Sequence, residues 1–141
     1  MFHYLRDAQY HETDQMGIIH HSNYIKWMEE ARTAYLASTK TDYKAVEEMG
    51  IISPVVSLEV DYKKPVKYED RVDISVWIHA YNGIVMEFKY RFYNQTTNEI
   101  CTEAHSRHCF LKNGKIASLR KAAPEFDRIF TEQYGSDKGE L

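Results

Sequence analysis

Apolar residues recur along this chain with two different periods. Tyr24, Trp27, Met28, Ala31 and Tyr35 fall at i, i+3, i+4, i+7 and i+11, which draws one stripe down a helix. Lys26, Glu29, Glu30 and Arg32 take most of the other side, with Glu30 and Arg32 read as a structural pair. Ser22 and Asn23 are both suitable caps at the helix start. A short second helix, from Asp42 to Met49, is predicted to stop at Gly50, where a left-handed residue costs little. Beyond it the period drops to two. Val56, Leu58, Val60 and Tyr62 alternate within Pro54–Tyr62, and Lys63-Lys64-Pro65 breaks that run. Val72, Ile74, Val76 and Ile78 alternate next, followed by Ile84, Met86, Phe88, Tyr90 and Phe92. Between them Tyr81-Asn82-Gly83 predicts a tight hairpin turn, because Asn-Gly tolerates positive φ at both central positions. Asn94 to Asn98 forms a second turn, and Ile100 to Leu111 a further strand closed by Asn113-Gly114. Residues 2–10 supply a first strand. After Pro124 a short helix is expected on Phe126, Ile129 and Phe130, then a frayed tail from Gly135 to Leu141.

One strand, a helix and then a run of antiparallel strands make an α+β pattern. Its simplest packing is an antiparallel sheet wrapped around one long central helix. The 141 residues suit a single domain, large enough to bury a core without staples. Composition changes little in that picture. Hydrophobic and charged residues make up 43% and 28% of the chain, ordinary for a folded protein. Eleven Tyr, six Phe and two Trp favour strands and broad packed surfaces. The 18 basic and 21 acidic residues leave a net charge of −3. No basic field exists to hold a nucleic acid. Cys101 and Cys109 make neither a disulfide framework nor a zinc spacing, so reduced thiols are expected. The absence of a signal-like start or a spanning apolar run gives the expectation of a soluble, cytoplasmic protein with no membrane span.

Candidate chemistry concentrates in Tyr10-His11-Glu12-Thr13-Asp14-Gln15-Met16-Gly17-Ile18-Ile19-His20-His21-Ser22-Asn23-Tyr24. Asp14 stands in a loop between the first strand and the long helix, and Gly17 lets that loop turn back. The loop feeds a helix N-terminus, which carries unpaired N–H groups and a partial positive charge. Such donors polarise a carbonyl or hold an oxyanion. A carboxylate a few residues upstream can attack that carbonyl or activate water to do so.

Asp14-x-x-Gly17, then His21-x-Asn23-Tyr24, Trp27, Glu30, Ala31 and Arg32, resembles the signature of 4-hydroxybenzoyl-CoA thioesterase-like hotdog proteins, above all the YbgC-type acyl-CoA thioesterases. The resemblance continues through Tyr62 to Asp70, which looks like the family's linker into a long strand, and covers nearly the whole chain. It implies hydrolysis of an acyl-CoA or an acyl-carrier thioester, with Asp14 as nucleophile or general base. The backbone N–H of His21 would polarise the thioester carbonyl, and Gly17 matches the turn glycine. His21 agrees with the YbgC type, whereas the aromatic-acyl members have Tyr there. Asn23, Tyr24, Lys63, Lys64 and Arg91 are the candidate substrate-binding residues, the cations for CoA phosphates, with Lys67 nearby. No metal or further cofactor is implied. Family members work as homodimers or homotetramers with sites at the subunit interface.

Each of these readings has a plainer rival. Asp-x-x-Gly is also an ordinary turn, and a Lys cluster is usually a solvated surface. The aromatic stripe of the helix is core by default. His105 and His108 are three apart on a strand, hence on opposite faces. Other functions compatible with a hotdog domain are non-catalytic acyl-CoA binding and hydratase or dehydratase chemistry. The latter needs a catalytic His paired with an acid, whereas here the acid precedes the helix.

Overall fold

The computed structural model describes all 141 residues. In chain order they form β1 (Phe2–Asp7), a 3-10 turn (Tyr10–Glu12), α1 (Ser22–Ser38), α2 (Tyr43–Glu48), β2 (Ile51–Ile52), β3 (Val55–Tyr62), β4 (Arg71–Tyr81), β5 (Val85–Asn94), β6 (Glu99–Cys109), β7 (Leu111–Lys112), β8 (Lys115–Ile116), α3 (Leu119–Ala122) and α4 (Pro124–Glu140). Five strands make one antiparallel sheet in the order β1-β4-β5-β6-β3, and β2, β7 and β8 make a small second one. No helix is long and apolar enough to cross a membrane.

The two sequence periods meet in the core. Val72, Ile74, Val76 and Ile78 of β4 and Met86, Phe88, Tyr90 and Phe92 of β5 are buried on one sheet face. The stripe of α1 covers that face: Trp27 stacks on Phe92 at 6.4 Å between ring centroids, and Tyr35 meets Phe88 edge-on at 6.3 Å. This is the helix-in-sheet packing expected from the alternation. Ile84 lies just before β5 and is exposed.

Several local expectations are corrected. The turn after β4 is held by the Asn82 side chain, whose Oδ1 accepts from the N–H groups of Ile84 and Val85 at 2.9 and 2.8 Å. Gly83 takes a φ of +90° there, and Asn82 is not among the positive-φ residues. Glu30 and Arg32 do not pair, because residues two apart on a helix point to different sides. Glu30 accepts from Arg6 Nε at 2.9 Å and from the Tyr4 hydroxyl at 2.8 Å. Arg32 turns into the core and donates to the hydroxyls of Tyr43 and Tyr90 at 2.8 and 2.9 Å. That chain continues from Tyr90 through Ser106 to His108. Burial, with Arg32 nearby, pushes the His108 imidazole down to about 3, so it is neutral. His105 faces the other side and meets Glu87 at 2.8 Å.

The largest difference is the tail. Gly135 to Leu141 was expected to fray, yet α4 runs to Glu140. Its anchor is Asp137, fully buried. The Asp137 carboxylate accepts from the Tyr35 hydroxyl and from the Ile78 N–H. It thereby ties the last helix to both α1 and β4. Tyr81 adds a second tie through its hydroxyl to Asp127 at 2.6 Å.

At the other end of the sheet, β3 pairs only with β6. Its Val56, Leu58 and Tyr62 are exposed although they alternate like core residues. β6 carries an irregularity where Cys101 is inserted opposite the Phe92–Tyr93 step. The Cys101 carbonyl accepts from both the Lys63 and Lys64 N–H groups, at 2.9 and 3.0 Å. That double acceptance turns the chain out of β3 and into the linker that meets the Asp14 loop.

Candidate active site

The loop from Thr13 to Ile19 is a miniature hairpin. Thr13 and Ile19 bridge each other, and the Asp14 N–H donates to the Ile18 carbonyl at 2.8 Å. Gly17, at φ +78°, closes it by donating its N–H to the Asp14 carbonyl. A side chain at Gly17 would meet open space but a strained backbone. Ile18 bridges Lys67, and Ile19 donates to the Val66 carbonyl at 2.8 Å, so the linker after β3 clamps the hairpin.

Behind the loop sits Glu12, almost fully buried. Its carboxylate accepts from Trp27 Nε1 at 2.8 Å, from the Gln9 N–H at 2.9 Å and from both Arg6 Nη atoms at 3.2 and 2.9 Å. The Glu12 carbonyl accepts from the His20 N–H and from Asn23 Nδ2. Asn23, expected at the substrate, is therefore buried in scaffolding and joins the 3-10 turn to the head of α1.

Backbone accounting at the head of α1 isolates one donor. The Ser22 N–H donates to His20 Nδ1 at 3.2 Å, the Asn23 N–H to the His20 carbonyl at 3.0 Å and the Tyr24 N–H to the His21 carbonyl at 3.3 Å. The N-cap is His21, in helical conformation and without a side-chain cap. Its own N–H donates to no group of the chain. At Asp14, Oδ1 accepts from the Met16 and Ile18 N–H groups at 2.8 and 3.4 Å, and Oδ2 has no partner. The head of α1 thus offers an unpaired N–H at His21, and the loop before it an unpaired carboxylate oxygen at Asp14.

They share a cleft of about 410 Å³. Asp14, His21, Tyr24, Lys63 and Lys64 of the expected set line it, and Gly17 turns the loop at its edge. Met16, Ile18 and Pro65 supply apolar wall. Lys63 Nζ is drawn toward Asp61 and Glu103 at 3.5 and 3.7 Å, whereas Lys64 makes no ion pair. Arg91 does not join them. It alternates with Tyr90 and Phe92 and so points to the opposite face of the sheet, over the ring of Trp77 at 5.4 Å. Two residues of the site were not singled out from sequence for these roles. Glu12 is spaced three residues after Gln9, and the two do form a capping box around the 3-10 turn. Tyr62 ends β3 as one more alternating residue, and only the fold carries it to the cleft.

Known proteins share both this sequence and this shape. The profile of the Thioesterase-like superfamily matches residues 8–130. YneP from Bacillus subtilis, provisionally named an acyl-CoA thioesterase, is 39% identical over 126 residues, covering 88% of this chain and 91% of its own. The acyl-CoA thioester hydrolase YbgC of Escherichia coli O157:H7 is 27% identical over 95 residues, 67% of this chain and 70% of its own. A crystal structure of a DHNA-CoA thioesterase from Staphylococcus aureus superposes with a TM-score of 0.91 at 30% identity, covering 99% of this chain and 95% of that one.

Proposed function

From a chain that belongs to the thioesterase-like superfamily, we infer hydrolysis of an acyl-CoA thioester, with Asp14 and the head of α1 as the reacting pair. The observation that carries this reading is that one cleft is lined by both Asp14, whose Oδ2 is free, and His21, whose N–H is unpaired. The thioester carbonyl oxygen accepts from the His21 N–H, and the partial positive charge of the helix end stabilises the negative charge that grows there. Asp14 supplies the other half in one of two ways. As nucleophile it adds to the carbonyl carbon, the carbon–sulfur bond breaks, and water hydrolyses the resulting mixed anhydride. As general base it takes a proton from water while the oxygen of that water adds to the same carbon; the carbon–sulfur bond then breaks and the proton passes from Asp14 to the leaving thiolate. Either way water contributes OH to the acid and H to the thiol. Lys64, cationic and unpaired at the cleft, is the residue best placed to meet a CoA phosphate.

A panel of acyl-CoAs of different chain length and aromatic character, read by trapping the free thiol, tests the assignment. Thiol release from at least one member is expected. Binding without release would support a non-catalytic acyl-CoA-binding domain, and hydration of an enoyl-CoA would support a hydratase. The DHNA-CoA activity named for the Staphylococcus aureus relative makes aryl thioesters a useful part of that panel.

The active unit is proposed to be a homodimer joined along β3. This edge strand presents unpaired backbone groups together with Val56, Leu58 and Tyr62. Exposed apolar edges of this kind are templates for a further strand, and a second copy supplies one of matching pattern. The cleft borders the same strand through Tyr62. Val56→Glu is expected to shift the particle to monomer in sedimentation equilibrium; a parent protein that is already monomeric at micromolar concentration contradicts the proposal.

A further inference from the structure

The head of α1 lacks the Ser, Thr, Asp or Asn cap that usually fixes such an end, so something else must hold His21 in place. The hydroxyl of Tyr62 donates to the His21 carbonyl at 3.1 Å. The Tyr62 ring stands edge-on to Tyr24 at 5.0 Å and to the His21 imidazole at 6.3 Å. Its backbone is fixed in turn. Tyr62 is in register with Thr102 of β6, and the next two N–H groups both bind the Cys101 carbonyl. A hydroxyl mounted on the sheet therefore reaches across to the one residue of the helix head whose N–H is free. The other supports of the helix head come from the loop side: His20 caps Ser22, and Asn23 reaches back to Glu12.

Building on the thioesterase reading above, we propose that Tyr62 is a positioning residue for the oxyanion donor: it sets the orientation of His21, and so of its N–H, against the Asp14 carboxylate. Partial desolvation raises the Tyr62 phenol above its ordinary range, which favours the protonated, donating hydroxyl. The hydroxyl acts on the backbone carbonyl, so it needs no contact with the substrate. Its effect belongs to the step in which charge grows on the carbonyl oxygen, not to binding of the CoA portion.

The test is Tyr62→Phe, which keeps the ring and removes the hydroxyl. It is expected to lower kcat about tenfold, the scale of one lost hydrogen bond, with KM changed less than about twofold. In a 15N–1H spectrum the His21 and Ser22 amide resonances are expected to move, while Tyr93→Phe, on the outer sheet face, leaves both them and kcat unchanged. An unaltered kcat, a change confined to KM, or unmoved His21 and Ser22 amides would overturn the proposal. The amide readout does not depend on turnover. It therefore decides the role of Tyr62 even where full activity of Asp14→Asn disproves the role given to Asp14.

Discussion

Asp14→Asn is expected to lower acyl-CoA hydrolysis by roughly 10²- to 10⁴-fold, the contribution of a positioned acid–base or nucleophilic group, while leaving the fold intact. The substitution is well suited to isolate chemistry. Asn retains an oxygen at the position of Oδ1, so the bonds from the Met16 and Ile18 N–H groups survive and the hairpin keeps its shape. What disappears is the charge and basicity of the free Oδ2. Thiol release measured at saturating substrate, beside a melting curve, separates the two effects. A variant that melts like the parent and turns over like it would remove Asp14 from the mechanism. Substrate should still bind, because the His21 N–H and the Lys64 ammonium are untouched.

Glu12→Ala is expected to destabilise the fold strongly. Its carboxylate is the common acceptor of an indole N–H, a backbone N–H and a guanidinium. Removing one member of such a buried cluster costs about 3 kcal/mol, at the lower end of the range for a buried pair because Arg6 keeps Glu30. For a domain of this size that lowers Tm by roughly 10 °C. Activity should fall with it, since the 3-10 turn that Glu12 caps also holds His20 and Asn23 through its carbonyl. Glu12→Gln is expected to fall between the two, because an amide NH₂ would face Arg6. Calorimetry of the three proteins is the check; a shift of less than 2 °C for Glu12→Ala, on the same scale, contradicts the role assigned to this carboxylate.

How much of this was legible in the sequence depends on the range of the interaction. The stripe of α1 and the alternation of β4 and β5 are written locally, because each element buries one face against a single neighbour. β3 alternates in the same way, yet its burial was not readable: an edge position is a property of the sheet, not of the strand. The fixed tail was invisible for a similar reason. Nothing near Asp137 shows that its partners are Tyr35 and Ile78, 102 and 59 residues away. That Asp14 and His21 meet at one cleft was legible because they lie within one short motif, and that Lys63 and Lys64 border it through the matching linker. Tyr62 could be assigned to a strand face but not to a cleft. That Arg91 lies away from the cleft follows from a signal already present in the sequence. Tyr90 and Phe92 alternate along one face, and that alternation sends the residue between them to the other side.

The geometry at the centre of this account can be observed directly with a CoA derivative whose thioester sulfur is replaced by methylene, leaving a ketone that cannot be hydrolysed. In a crystal structure of that complex the ketone oxygen is predicted to lie within hydrogen-bond distance of the His21 N–H, with the Asp14 carboxylate facing the carbonyl carbon. A ketone bound away from the head of α1, or an Asp14 side chain turned from it in every subunit, would contradict the mechanism.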